Sequence, residues 1–236
     1  AHHCYRSGRS VQASSRAVTS NQPGLHPRLA RTVLRHLHHP HRSPLAAHNR
    51  TVWEELRPRL QADRRPLVLD SFCGTGMSTA LLAQRHPGHL VIGIDRSAHR
   101  LHRHIAAPGT NYLLLQAECE PLWQQLAGAG LRVDYHYLLY PNPWPKSRHL
   151  QRRVHGHPGF RDLLALGGKV ELRSNWQLYV EEFGVAMHLA GVRGLVRQLP
   201  EAPALTRFED KYRRSGQLLW QYRGRIGYSE RPDTRS

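Results

Sequence analysis

Cysteine, lysine and acidic residues are all scarce in this chain. Three cysteines, Cys4, Cys73 and Cys119, stand among 236 residues, an odd number with no CxxC pair. That excludes a disulfide scaffold and a cysteine–zinc cluster, and it predicts a reducing, cytoplasmic setting. No apolar run approaches the roughly 18 residues a membrane-spanning helix needs, so no membrane partner is expected. The first ten residues, AHHCYRSGRS, lack the apolar centre of a secretory signal. Asp and Glu number 17 against 34 Lys and Arg, which leaves a net charge of +17. An imbalance of that size points to a polyanionic partner, nucleic acid before an anionic membrane surface. Lysine supplies little of it, at Lys146, Lys169 and Lys211. The remaining cations are arginines, whose planar fork suits phosphate and whose face stacks on bases.

The composition is globular, 39% hydrophobic with five tryptophans, and the length allows one large domain with a sizeable core. Residues 1–25 are polar, rich in Ser, Arg and His, and without a sustained period, which predicts a flexible basic arm. Across 26–62 apolar residues recur at helical spacing, at Leu29, Val33, Leu34 and Leu37 and again at Val52, Trp53, Leu56 and Leu60. Two short helices are expected there, as an N-terminal extension. The intervening His36, His38, His39 and His41 read as solvated side chains. Pro40 breaks any i, i+4 ligand geometry and no carboxylate stands nearby, so no metal site is expected.

From 63 to 228 short apolar runs alternate with helical patterns: PLVLD with MSTALLAQR, LVIGID with SAHRLHRHI, NYLLL with EPLWQQL, VDYHYLLY with PGFRDLLAL, and KVELR with WQLYVEEFGVAMHLA. Five such units predict an α/β, Rossmann-like domain whose mainly parallel sheet is covered by helices on both faces. GQLLWQYRGRI reads as a final antiparallel strand, and 229–236 as a tail.

The first unit carries Gly74 and Gly76 where a strand turns into a helix, and the second ends in Asp95 about 20 residues on, the spacing of a ribose-binding acid. A dinucleotide would need a third glycine at the position held by Thr79. S-adenosylmethionine has no phosphate and needs only the two-glycine turn, the ribose acid and an adenine slot. Asp70, at the end of the first strand, would face its cationic methionine end, and Arg96 follows the ribose acid. Gln116, Ala117 and Glu118 end the third strand where adenine would lie, with Glu118 the polar contact. S-adenosylmethionine is therefore the expected cofactor.

The fourth strand runs into YPNPWPKSRHLQRR, a proline-braced, aromatic and basic loop at the substrate end of such a sheet. This stretch resembles the PDPWPKxRHxxRR signature of the tRNA (guanine-N7)-methyltransferase family. RSNWQLYVEEF and TRFE resemble that family's TDWxxYxxxM and TxFE segments, in the same order. The resemblance spans roughly 66–228. It implies a class I S-adenosylmethionine-dependent methyltransferase fold and action on guanine N7 of tRNA or another structured RNA. It further implies site roles for Asn142, Asn175, Thr206 and Glu209, with Asn142 also beside the cofactor. Lys146, Arg148, His149, Arg152, Arg153, Arg207, Lys211, Arg213 and Arg214 flank the expected site and suit phosphate. Trp144 would stack on a base or wedge the loop, Trp176 belongs to the core, and Tyr179 and Glu182 lie on a helix face, with a cofactor-side role for Tyr179 implied by the resemblance.

The chain departs from the family at two aspartates, replaced by Asn142 and Asn175. A carboxylate accepts from both N1–H and N2–H of guanine, whereas an amide offers one acceptor oxygen. Asn-Pro-Trp-Pro is also similar to the Asn-Pro-Pro-aromatic loop of enzymes that methylate exocyclic amines. Methylation of another target, an exocyclic amine or a small molecule, and RNA binding with weak turnover thus stand as alternatives.

Overall fold

The runs LVLDS (Leu67–Ser71) and LVIGID (Leu90–Asp95) are buried at every position, as strands covered on both faces must be. In the computed structural model, which describes residues 16–40, 44–107, 109 and 111–227, they form β1 and β2. Helices α1 (Leu29–His38) and α2 (Ala47–Ala62) precede them. Then come α3 (Met77–Arg85) between β1 and β2, α4 (Ala98–Leu101), β3 (Tyr112–Gln116), α5 (Cys119–Gly128) and β4 (Tyr135–Leu139). A 3-10 turn over Ser147–Arg152 leads to α6 (Phe160–Leu166), β5 (Gly168–Ser174), α7 (Gln177–Leu189), β6 (Gly194–Gln198), α8 (Arg207–Arg214) and β7 (Trp220–Ile226). The sheet order is β3-β2-β1-β4-β5-β7-β6, with β7 antiparallel to both its neighbours and the other pairings parallel. The mainly parallel sheet with a reversed final strand is as expected. The short, exposed β6 was not anticipated.

Most of the core lies on one face, where α1, α2, α5, α6 and α7 close over Leu69, Ile92, Trp123, Phe160 and Phe183. The other face has a smaller core beneath α3, built on Val68, Leu82, Val91 and Leu139. Helices thus lie on both faces, as expected, although the cover on this one stops short of the strands beyond β4. Lys169 on β5, Leu195 on β6 and Arg223 on β7 are exposed, because those strands alternate apolar with polar residues and bury one side alone. Close approach of α3 to β2 rests on Gly93. A β-carbon there would collide with the Thr79 hydroxyl and come within 2.9 Å of Leu114 Cδ2. Gly93→Ala should therefore cost about 1–3 kcal/mol by overpacking, read as a lower denaturant midpoint with an unchanged slope.

The flexible-arm expectation for 1–25 also needs correcting from Ser20 onward, residues 1–15 lying outside the described residues. Ser20 Oγ donates to the Pro145 carbonyl at 2.6 Å, and Gln22 is buried. His36 is buried with Nε2 3.1 Å from the Gly156 carbonyl, whereas His38 and His39 are exposed; His41 is outside the described residues.

Candidate active site

Strand ends β1, β2, β3 and β4 converge on a cavity of about 420 Å³, within the size range of small-molecule sites. Beside one wall lies the turn after β1, where Gly74 (φ 59°) and Gly76 (φ 81°) take the left-handed conformation that glycine adopts without a steric penalty. Asp95, at the end of β2 and nearly buried, accepts from the Gly74 N–H at 3.2 Å and the Ser97 N–H at 3.0 Å, with Arg100 Nη1 3.9 Å away. Arg96 and Glu118 line the same wall, and Ala117 is buried beneath it. Asp70 lies deeper. Its Oδ2 accepts from Ser78 Oγ (2.5 Å) and Thr79 Oγ1 (2.8 Å), tying β1 to the start of α3. Burial raises its carboxyl to about 6 although both hydroxyls pull it down, and Oδ1 has no hydrogen-bond partner among the described residues. Thr79, where a dinucleotide fold would have glycine, thus has a bracing task of its own.

One contributor was missed in the sequence. Asn49 of α2, fully buried, donates through Nδ2 to the Glu118 carbonyl and accepts the Glu118 N–H at Oδ1, both at 3.0 Å. Beside it, His48 Nε2 lies 2.7 Å from the Gln116 carbonyl. The N-terminal extension therefore clasps the β3–α5 turn. An asparagine inside a helix, where its side chain competes with the backbone, was the available signal.

A second wall is the proline loop after β4. Pro141, Asn142 and Trp144 line the cavity, and Asn142 Oδ1 accepts the Trp144 N–H at 3.3 Å. The Arg152 guanidinium sits 4.9 Å from the centroid of the Trp144 ring, and His149 meets that ring edge-on at 5.6 Å. Phe72 (φ 62°), Tyr140 (φ 54°) and Trp144 (φ 45°), the described non-glycine residues with left-handed backbone, all line this one cavity. Strained backbone of this kind persists where the surroundings hold it, and it gathers at functional sites.

The holding structure is visible. Arg153, expected to meet phosphate, is instead completely buried: Nε donates to the Trp144 carbonyl (3.0 Å), Nη2 to that of Lys146 (3.2 Å) and Nη1 to Glu182 Oε1 (2.8 Å) and Gln22 Oε1 (3.0 Å). Glu182, read from the sequence as a helix-face residue, is the buried hub of this network, accepting also from His155 Nε2, Gln22 Nε2 and the His26 N–H. Burial alone would raise its carboxyl, but the His155 and His26 hydrogen bonds and the Arg153 charge outweigh it and hold it at about 2. Tyr179 is buried and accepts the Val154 N–H through its hydroxyl at 3.0 Å, while its ring reaches the cavity wall. Trp176 packs against the core and under the Arg153 guanidinium.

The TRFE segment also acts from behind. Glu209 is fully buried and accepts from Tyr140 Oη (2.7 Å), Arg173 Nη1 (2.7 Å) and the Leu205 N–H (2.8 Å), while Thr206 caps α8 by accepting the Glu209 N–H. Burial and the Glu209 charge push the Tyr140 hydroxyl far above its ordinary range, so it stays a neutral donor. Asn175 Nδ2 donates to Gln217 Oε1 at 2.9 Å. Of the four residues the resemblance placed in the chemistry, only Asn142 lines the cavity; Asn175, Thr206 and Glu209 stand off its wall. Lys146, Arg148, Arg207 and Lys211 are exposed and none of them lines the cavity, whereas Arg214 pairs with Asp210 and Arg213 donates to the carbonyls of Pro200 and Ala202.

This strand order, with a glycine turn after β1 and an acid at the end of β2, is that of a class I S-adenosylmethionine-dependent methyltransferase. The profile of a family described as putative methyltransferase matches residues 64–222. The chain is 30% identical over 182 residues to the tRNA (guanine-N(7)-)-methyltransferase of Nitrosococcus oceani, covering 69% of this chain and 71% of the relative. With the enzyme of that name from Rubrobacter xylanophilus it shares 29% over 178 residues, 72% of this chain and 78% of the relative. The chain belongs to the tRNA (guanine-N7)-methyltransferase family. In fold it is also similar to the crystal structure of the 16S rRNA (adenine(1408)-N(1))-methyltransferase from Catenulisporales acidiphilia, with a TM-score of 0.53 at 19% identity, covering 82% of this chain and 96% of that one.

Proposed function

We propose that this chain transfers a methyl group from S-adenosylmethionine to N7 of a guanine in tRNA. The observation that carries the reading is one cavity with two walls: Asp95 and Glu118 on one side, Asn142 and Trp144 on the other. The residues present fit the cofactor. The left-handed Gly74–Gly76 turn admits a ligand without phosphate, Asp95 can accept two ribose hydroxyls, and the orphaned Asp70 Oδ1 supplies negative character under the turn. The cofactor brings an electrophilic methyl on a sulfonium.

Guanine N7 has an in-plane lone pair and carries no proton, so in-line attack needs no general base. The chain's residues then act by orientation and by excluding water, effects capable of contributing ~7–11 kcal/mol. A loop fixed by three prolines and by Arg153 is suited to that task. Asn142 Oδ1 is partly used in holding the loop through the Trp144 N–H. An exocyclic amine would need that acceptor, whereas N7 asks for none. Trp144 and Arg152, stacked at the rim, would receive the neighbouring base and phosphate.

Label from methyl-labelled cofactor should pass to unmodified tRNA, and no label in any tRNA nucleoside would sink the reading. In the same assay Asn142→Ala should lose about tenfold in kcat/KM, the worth of one hydrogen bond. Asn142→Asp, which keeps the acceptor, should stay within a few-fold of wild type. Equal losses in both variants would show that the amide N–H, not the oxygen, is what the site uses.

A further inference from the structure

The sheet face left open by β5, β7 and β6, bordered by Tyr135 and Tyr137 of β4, carries cations in place of a helix. On β5, Lys169, Glu171 and Arg173 point to this side, since the alternate Val170 and Leu172 are in the main core. Helix α8 covers its upper end through the Arg173–Glu209 ion pair. Below that cover lies a groove of about 250 Å³ lined by Tyr135, Tyr137, Lys169, Glu171, Arg223 and Arg225. Its acid is already engaged, because Glu171 pairs with Arg173 at 2.7 Å and with Arg223 at 3.4 Å. Lys169 Nζ stands 5.5 Å from the centroid of the Tyr135 ring, which stacks in turn on Tyr137. Lys169, Arg225 and, on β6, Arg197 are exposed. The result is a cationic, aromatic-floored groove at the end of the sheet opposite the cavity, roughly 15–20 Å away by strand length.

We propose that this face is a second docking site for the RNA substrate and grips its phosphate backbone while a guanine occupies the cavity. The inference rests on the tRNA reading above and adds where the rest of the molecule lies. A structured RNA is held mostly through phosphates and 2′-hydroxyls over an extended surface, and a site spread over two ends of the sheet fits a large ligand. Other occupants fit less well. The sequence beyond 227, YSERPDTRS, has two acids and two arginines and so offers no opposite charge. A second copy meeting this face symmetrically would set like charges against each other.

The test uses the full chain, unmodified tRNA and the triple variant K169A/R223A/R225A, with K169R/R225K as a charge-preserving control. In the triple variant the Kd for tRNA at 0.1 M salt should rise by about tenfold or more. The log Kd–log salt slope should fall by about 2–3, roughly one per lost contact. KM for tRNA should rise in step, with kcat at saturation and cofactor affinity retained, while the control binds as wild type does. A triple variant with wild-type affinity and salt slope would overturn the proposal, as would capture of an acidic protein by this face without any change in RNA binding. If wild-type protein neither binds nor methylates tRNA, the functional reading itself fails and this one with it. An active wild type with an indifferent triple variant condemns the docking face alone.

Discussion

Asp95→Ala should weaken cofactor binding by roughly two to four orders of magnitude. The carboxylate sits almost out of water at the end of β2 and is held by two backbone N–H groups, from Gly74 and Ser97. That fixes its oxygens at the cavity wall, where two ribose hydroxyls would donate to them. Hydrogen bonds to an ionised acceptor are worth about 1.5–3 kcal/mol each, so losing two weakens binding by roughly 10²–10⁴-fold. The substitution also leaves the Gly74 N–H without its acceptor, which loosens the turn the cofactor must cross. Calorimetric titration of S-adenosylmethionine into the variant reads the effect directly. Asp95→Asn, with one acceptor oxygen kept, should fall between the variant and wild type. Affinity within tenfold of wild type in Asp95→Ala would remove Asp95 from the site.

The second large effect is expected at Glu182, which does not line the cavity. Its carboxylate neutralises Arg153 in a spot where neither side chain touches water. Removing one member of a buried pair leaves the other as an uncompensated charge, which costs about 3–5 kcal/mol. Glu182→Gln should therefore lower the thermal midpoint by roughly 6–20 °C for a chain of this size. It should also slacken the Trp144 loop, because Arg153 is what holds the Trp144 and Lys146 carbonyls. The pH dependence carries a separate signature. The Glu182 carboxyl titrates at about 2 in the folded protein against an ordinary 4.5. Its contribution to stability is thus complete above pH 4.5 and is lost as pH falls towards 2. The variant should lose that portion of the acid-side slope, measured by denaturant titration across the window. A variant as stable as wild type would show that the pair contributes nothing net.

The covered half of the fold was legible because its strands read as unbroken apolar runs, and the wall of the cavity at Asp95 because Gly74, Gly76 and Asp95 fall at fixed offsets along the chain. The open half was legible too, in KVELR and WQYRGRI, whose alternation marks strands wet on one side. Repetition of strand and helix pointed to helices on both faces, and the alternation marks where the cover on one of them ends. Glu182 follows Tyr179 by three residues and precedes Phe183 and Ala186 on one buried helical stripe. An acid on such a stripe must find a partner, and the sequence does not reveal that Arg153 is the one. Motif likeness placed Arg153, Thr206 and Glu209 near the substrate. In space Arg153 and Glu209 hold the proline loop from behind and Thr206 caps α8, a distinction that depends on burial and not on spacing. Asn49 and Gln22 act across separations of 69 and 160 residues. Only the folded chain brings those pairs together.

The central reading is tested most directly by the identity of the methylated nucleoside. Unmodified tRNA is incubated with the protein and S-adenosylmethionine, digested, and resolved by chromatography with mass spectrometry. A loop that orients a guanine for in-line attack through its own lone pair should yield N7-methylguanosine, at one position and without a requirement for a titrating base. N2-methylguanosine in its place, or no methylated nucleoside from a protein that binds the cofactor, would contradict it.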